Sequence, residues 1–339
     1  MLVDVVQTEE YIKGGWTQDY KGYKVISAVS VNDMEKYSGR LKSGGVYIHC
    51  ISNAPAISLD ICLNEISGRN FPHLGITAQR GLAYCYRLLG EAQWYNFDCA
   101  LGRDSSWKLD MKLHICISKS KKYELMIYLP SLCYVSGLNL NCGEGYTINP
   151  VPQAKTKYLF IGSSISFGIG VTSNAFMLGN IFTRKCRSDV TTVAFNCYNY
   201  FLFLNQFITD HIKEIKAADV IFLECDHKNF PQTTTVQNFP QILENLLQKT
   251  DSKIVLWNQP TLKGVTFAGS RIKRECIFAE IQKMRHIFPK RVVLCDNNEA
   301  WSDFEFDMYA YSSNFINDNG FVWLQKKLNR ILEEKMWSI

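Results

Sequence analysis

The sequence predicts an α/β protein in two parts, an antiparallel β-rich module over residues 1–150 and a doubly wound α/β/α module over residues 151–339. Three observations carry that prediction. Up to about residue 148 the chain runs in short alternating stretches rich in β-branched, aromatic and Cys residues; a break with proline and two lysines follows at 151–157; beyond it apolar runs alternate with stretches of helical spacing. The length permits two modules, since 339 residues correspond to about two domains of the usual ~100–200 residues.

Each element has its own warrant. Residues 46–51, 57–63, 81–88, 108–117 and 123–129 read as strands, separated by Gly, Asn, Asp and Ser, and their spacing predicts an antiparallel sandwich. The stretch 151–157, VPQAKTK, reads as the linker. After it, 158–161, 190–194, 220–223, 254–257 and 292–294 are short and apolar enough to be buried parallel strands. Between them 174–187, 203–215, 236–248 and 271–288 carry helical spacing, and Phe321, Leu324, Leu328, Ile331 and Leu332 mark a last helix laid on the sheet. A site is expected at the carboxyl ends of the parallel strands.

Composition excludes several classes. Hydrophobic residues make up 47% and charged residues 20%, which rules out wholesale disorder. The apolar runs at 200–204 and 220–223 fall far short of the ~18 residues needed to cross a bilayer, and the first residues lack the basic opening and apolar stretch of an export signal, so a cytoplasmic location is expected. The net charge of +5, from 37 Lys plus Arg against 32 Asp plus Glu, is a weak footprint for a polyanion. The basic clusters at 119–122 and 271–274 read as solvated surface, and nucleic acid is not expected as a partner. The twelve cysteines include no CxxC pair and no zinc-type Cys/His set, so free thiols and no metal are expected. His49 beside Cys50, and His114 near Cys116, sit in strand-like runs as core residues.

The segment with most chemistry is 158–168, a buried strand running straight into the small-residue turn Gly162-Ser163-Ser164-Ile165-Ser166 and on to Gly168. A hydroxyl there is presented at the rim of the sheet, where the N–H groups of a following helix favour negative charge. Ser164 is therefore a candidate nucleophile; the competing reading is a Gly/Ser turn that caps the next helix. A phosphate loop is excluded, because Gly162 to Gly168 is one residue too long and no Gly-Lys-Ser/Thr follows.

These five residues resemble the G-[DS]-S-[IL]-[ST] nucleophile block of the SGNH/GDSL hydrolases. The strand at 123–130, YELMIYLP, resembles the one with which a two-domain branch of that family closes its N-terminal β-sandwich. Cys225-Asp226-His227 resembles the D-H element before that branch's third block, and Asn317-Asp318-Asn319-Gly320 its terminal N-D-x-G; together they cover roughly residues 40–335. The resemblance implies a flavodoxin-like α/β/α sandwich behind a jelly-roll-like β-sandwich and an ancestral serine esterase needing no cofactor. Its partner would be an acylated carbohydrate, another small acyl ester, or a glycosylated or acylated protein.

Carried over residue by residue, the family's chemistry is incomplete. It needs a serine, a histidine to take its proton, an aspartate to orient that histidine, and N–H donors for the oxyanion. Laid without a gap, the last block puts Ser312 at the aspartate and Phe315 at the histidine, and phenylalanine accepts no proton. The second block falls on 194–198 and puts Cys197 at the glycine whose N–H serves the oxyanion. The third block puts Lys228 at its asparagine, or Asn229 after a one-residue insertion. Only Ser164 is clearly retained. As substitute bases, His227 lies at the carboxyl end of a parallel strand, and Lys228 could act in a Ser/Lys manner if burial lowered its pKa. His49, His73, His114 and His286 read as structural.

The expectation is a hydrolase fold that has lost hydrolysis and acts as a binding or accessory protein; the alternative is a working esterase or acyltransferase with a rearranged base. Two further clusters read as bland. Tyr198, Tyr200, Phe201 and Phe203 suit core packing better than a sugar platform, and Asp303, Glu305 and Asp307 suit a solvated loop better than a metal or acid/base cluster. Asn317, Asp318 and Gly320 read as a cap and turn opening the last helix.

Overall fold

A computed structural model describes residues 1–27, 43–64, 73–102, 104–112, 121–186, 188–195, 197–227, 229–261, 270–298, 300–312 and 315–335. Lys228, the His114/Cys116 pair, residues 113–117 of one expected strand and residues 119–120 of the 119–122 cluster lie outside the described residues.

The strands of the first part are β1 (Leu2–Asp4), β2 (Ile12–Lys13), β3 (Trp16–Tyr20), β4 (Tyr23–Ser27), β5 (Tyr47–Ser52), β6 (Ala56–Asn64), β7 (Leu82–Leu88), β8 (Tyr95–Ala100), β9 (Ser106–Lys112), β10 (Tyr123–Tyr128), β11 (Tyr134–Asn141) and β12 (Ile148–Pro150). Among the described residues they form two antiparallel sheets. One runs β3-β4-β11-β6-β9 with β1 on β11, and the other β12-β5-β10-β7-β8 with β2 on β5. The period of two explains the shared core: β6 buries Ile57, Leu59, Ile61 and Leu63 and leaves the alternate residues half-exposed. Those four join Ile48, Cys50, Leu125 and Ile127 from the other sheet in one apolar cluster.

Five parallel strands follow, β13 (Lys157–Gly162), β14 (Asp189–Ala194), β15 (Val220–Asp226), β16 (Lys253–Asn258) and β17 (Val292–Cys295), in the order β14-β13-β15-β16-β17. This is the doubly wound order with a switch point beside β13. The strands read as continuous apolar runs because both faces are covered. Leu159, Ile161, Leu223 and Leu256 pack on one side with Phe239, Leu243 and Ile277, whereas Phe160, Phe222, Val255 and Trp257 pack on the other with Ile181, Phe182, Phe321 and Leu324. Phe160 stacks on Phe222 at 4.3 Å between centroids across neighbouring strands.

The helices differ from the sequence reading at their ends. The expected helix at 174–187 is a 3-10 turn, Asn174–Phe176, followed by a helix at Leu178–Cys186. The one expected at 203–215 starts three residues earlier, at Tyr200, and breaks at His211 into Tyr200–Asp210 and Ile212–Ile215. The others span Gln232–Lys249, Ser270–Ile287 and Asp318–Lys335. The acidic residues expected in a loop form a helix, Asp303–Tyr309, because Ser302 and Glu305 close a capping box: the Ser302 hydroxyl accepts from the Glu305 N–H, and the Glu305 carboxylate accepts from the Ser302 N–H at 3.0 Å.

The two parts are packed directly. The apolar cluster of the antiparallel sheets continues into Leu159, Ile161, Val193 and Leu223 of the parallel sheet. Polar contacts pin the seam: Arg184 Nη1 donates to Tyr128 Oη at 2.8 Å, Trp94 Nε1 to the Arg184 carbonyl at 3.1 Å, and the Asn174 amide to the Leu129 carbonyl. Residues 151–156 carry no regular structure. Ten free cysteines are found among the described residues, together with no His/Cys/Asp/Glu group able to hold a metal, and no described helix is long and apolar enough to cross a membrane.

Candidate active site

β13 ends in the turn the sequence singled out. Successive turn bonds, Phe167 N–H to the Ser163 carbonyl (2.9 Å), Gly168 N–H to Ile165 (2.8 Å) and Ile169 N–H to Ser164 (3.0 Å), coil the chain tightly beyond the strand. Ser163 and Ser166 are buried, and Ser164 is half-buried. Glycine is required at 162, because a Cβ there would collide with Ser166 Oγ and sit 2.6 Å from a Glu224 carboxylate oxygen.

That carboxylate is the main surprise of the site. Glu224 lies on β15 beside β13 and is fully buried. It accepts the Ser163 N–H at 2.5 Å and the Ser163 hydroxyl at 3.0 Å, one bond to each oxygen. Burial drives its pKa up to about 8, and the two bonds from Ser163 only partly oppose the shift. Ser163 is thus fixed by a neighbouring strand, and the residue after it, Ser164, is presented from a turn with little freedom.

Past Glu224, β15 delivers Asp226 and then His227 to the same rim. Asp226 is paired with the buried Lys273 of the helix Ser270–Ile287 at 3.0 Å. Burial raises the Asp226 pKa against the pull of that lysine. Lys273 Nζ also donates to the carbonyls of His227 (3.0 Å) and Phe230 (3.2 Å), so one ammonium ties down the whole turn after the strand. His227 is buried with its ring against Phe230. Its Nδ1 accepts the Asn229 N–H at 3.1 Å, which in the neutral ring leaves the proton on Nε2. That tautomer has no lone pair to offer a serine hydroxyl.

The second and last blocks also meet this rim. The Phe195 N–H donates to the Gly162 carbonyl at 2.9 Å, bringing the 3-10 turn Cys197–Asn199 beside the nucleophile turn. Tyr200 and Phe201 are core residues, Tyr200 stacking on Phe230 at 4.5 Å, whereas Tyr198, read with them as core, is exposed. Towards the end of the chain, Ala310–Ser312 and Phe315–Ile316 pair as antiparallel strands, a hairpin in which Ser312 and Phe315 are direct partners. The hairpin abuts the nucleophile loop at Gly170, whose φ of +108° and closeness to the Ile316 carbonyl exclude any side chain. Asp318 holds the same loop by accepting the Thr172 N–H (2.9 Å) and hydroxyl (2.5 Å). Asn317 opens the last helix, its side-chain oxygen accepting the Gly320 N–H at 3.0 Å.

His73 is drawn to this rim as well. Its carbonyl accepts the Gly170 N–H at 2.5 Å, and with Thr172 and Asn317 to Asn319 it lines a cleft of 440 Å³. Ser164 lines neither this cleft nor the second described cavity. His49 belongs to a cluster on the antiparallel sheet, 3.4 Å from Glu124, which also accepts two bonds from Arg87.

Sequence reading missed Glu224 and placed Lys273 in the 271–274 cluster read as solvated surface, whereas Lys273 is buried against Asp226. Both carried a signal: Glu224 interrupts an otherwise apolar strand, and Lys273 falls four and eight residues before Ile277 and Ile281 on the buried face of its helix.

By sequence alone, no protein-family model and no curated protein matches the chain. Solved structures do match over nearly its whole length. A protein described as a GDSL-like lipase, from Bacteroides ovatus, is 17% identical with a TM-score of 0.76, the match covering 98% of this chain and 97% of that one. The salicylyl-acyltransferase SsfX3 of a tetracycline biosynthetic pathway is 16% identical with a TM-score of 0.69 and the same coverage. A family two carbohydrate esterase from Clostridium thermocellum, in complex with cellohexaose, is 10% identical with a TM-score of 0.61, covering 87% of this chain and 94% of that one. The chain has the fold of the SGNH/GDSL hydrolases.

Proposed function

We propose that this chain is an SGNH-fold protein that no longer hydrolyses esters and works as a binding or accessory protein for an acylated carbohydrate, another small acyl ester, or a glycosylated or acylated protein. One observation carries the reading. Laid on the last block without a gap, Ser312 and Phe315 fall at its aspartate and histidine positions, and the reading is supported by their pairing in the two-strand ladder that abuts the nucleophile loop. Removing the base from a serine hydrolase lowers turnover by about a million-fold. The hydrogen bond from Asn229 to His227 Nδ1 supports the same conclusion, because it occupies the lone pair a substitute base would use. The carbohydrate class is supported by a fold relative that holds cellohexaose.

In this reading residues 1–150 form a jelly-roll-like β-sandwich and residues 151–339 the hydrolase-like module. Ser164 is a vestigial nucleophile, and Cys197 and either Lys228 or Asn229 fall at the positions of the family's oxyanion donors. The free thiols suit a reducing, cytoplasmic setting.

The test is reaction of Ser164 with a fluorophosphonate probe from about pH 6 to 9, together with p-nitrophenyl acetate hydrolysis. Wild type is expected to stay unlabelled and to hydrolyse at the background rate. Labelling abolished by Ser164→Ala would overturn the proposal in favour of an esterase or acyltransferase whose base is His227, Lys228 or another residue. Ser312→Asp combined with Phe315→His is expected to bring hydrolysis back above background.

A further inference from the structure

The opposite end of the parallel sheet carries a second cavity, of 290 Å³, between β2 and the amino-terminal ends of β13 and β14. It lies at the lower end of the ~300–1,000 Å³ common for small-molecule pockets. Its walls are apolar, made chiefly by Leu159, Val193, Phe207 and Ile215, and its mouth is polar, with exposed Gln153, Lys157 and Glu214. Lys13 and Asp189 also line it.

Lys13 is the unusual member. It is 5% exposed, and among the described residues its ammonium has no hydrogen-bond or ion-pair partner. Burial lowers its pKa, opposed by the more distant carboxylates of Asp189 and then Glu10. Asp189 is itself engaged, accepting the Ala154 N–H at 2.9 Å. An ammonium carried on a largely buried lysine without a partner favours an anion within reach. Contrast Lys273, equally buried, which has a carboxylate and two carbonyls.

We infer that this cavity binds a small amphipathic monocarboxylate, its head paired with the Lys13 ammonium and its body along the apolar wall. A monoanion fits better than a phosphate, because Lys13 is the lining cation away from the exposed mouth, and the Asp189 and Glu214 carboxylates that also line the cavity would repel a doubly charged head group. The site lies away from Ser164 and is independent of the reading given above.

Octanoate titrated into the full chain and followed by calorimetry tests the inference, with octanamide as the neutral isostere. Saturable one-to-one binding of octanoate is expected, with octanamide at least tenfold weaker on the same wild-type protein. Lys13→Met should weaken octanoate at least tenfold without lowering the melting temperature, and Ser164→Ala should leave its affinity unchanged. Absence of saturable binding, equal binding of the amide, an undiminished affinity in Lys13→Met, or loss of binding in Ser164→Ala would each overturn it.

Discussion

The two ends of the parallel sheet treat buried ionisable side chains in opposite ways. At the carboxyl end the buried acids of the rim are held by named partners: Glu224 by Ser163, and Asp226 by Lys273, which also binds two carbonyls. At the amino end Lys13 faces a cavity with no partner among the described residues. The contrast separates two uses of a buried ionisable group. Fully paired, it fixes a turn in one geometry; unpaired beside a cavity, it keeps an attraction in reserve for a ligand.

The sharpest way to break the comparison is to remove Lys273. Lys273→Met leaves Asp226 buried without its cation and frees two carbonyls, and should cost about 3–5 kcal/mol. The urea midpoint measures it, and adding Asp226→Asn should recover part of the loss. A cost under about 1 kcal/mol would mean that the rim is solvated and the contrast between the two ends is lost.

Glu224 sharpens the comparison through pH. Its ordinary pKa is 4.5 and burial takes it to about 8 in the folded protein. Below the ordinary value both states hold the proton. As pH rises from there to about 8 the unfolded chain releases it while the folded chain keeps it, so stability falls across that window by a few kcal/mol, on the order expected for ~1.4 kcal/mol per unit. Unfolding midpoints at pH 5 and pH 8 should therefore differ in wild type and draw together in Glu224→Gln. An unchanged slope in the variant would show that another group carries the pH dependence.

The smallest effect belongs to the exposed edge of the same rim. Thr172→Val deletes the hydroxyl bond to Asp318 but leaves the backbone bond, and should cost at most about 1 kcal/mol in the same urea measurement. A larger loss would mean that exposed and buried bonds of the rim count alike.

Much of the fold was legible because periodicity reports burial. The continuous apolar run at 220–223 is a strand with both faces covered, and the alternation at 57–63 is a strand with one face in the core. Helix ends were less legible, since they depend on bonds to side chains: the acidic run at Asp303 became a helix through the Ser302/Glu305 box. In the candidate site, the turn carrying Ser164 followed from a strand meeting Gly162. Glu224 and Lys273 did not, because their roles depend on partners 61 and 47 residues away along the chain.

The sequence by itself determined the class of each half, the order of the elements and the chemistry available at Ser164, Ser312 and Phe315, since these rest on local pattern and side-chain type. Tertiary structure decided the rest. It brought Ser163 under Glu224, the hairpin of Phe315 against Gly170, Lys273 over Asp226, and Lys13 to a cavity without a partner. The physical reason is that the energy of a buried polar group is set by what surrounds it, and those surroundings come from segments distant in the chain.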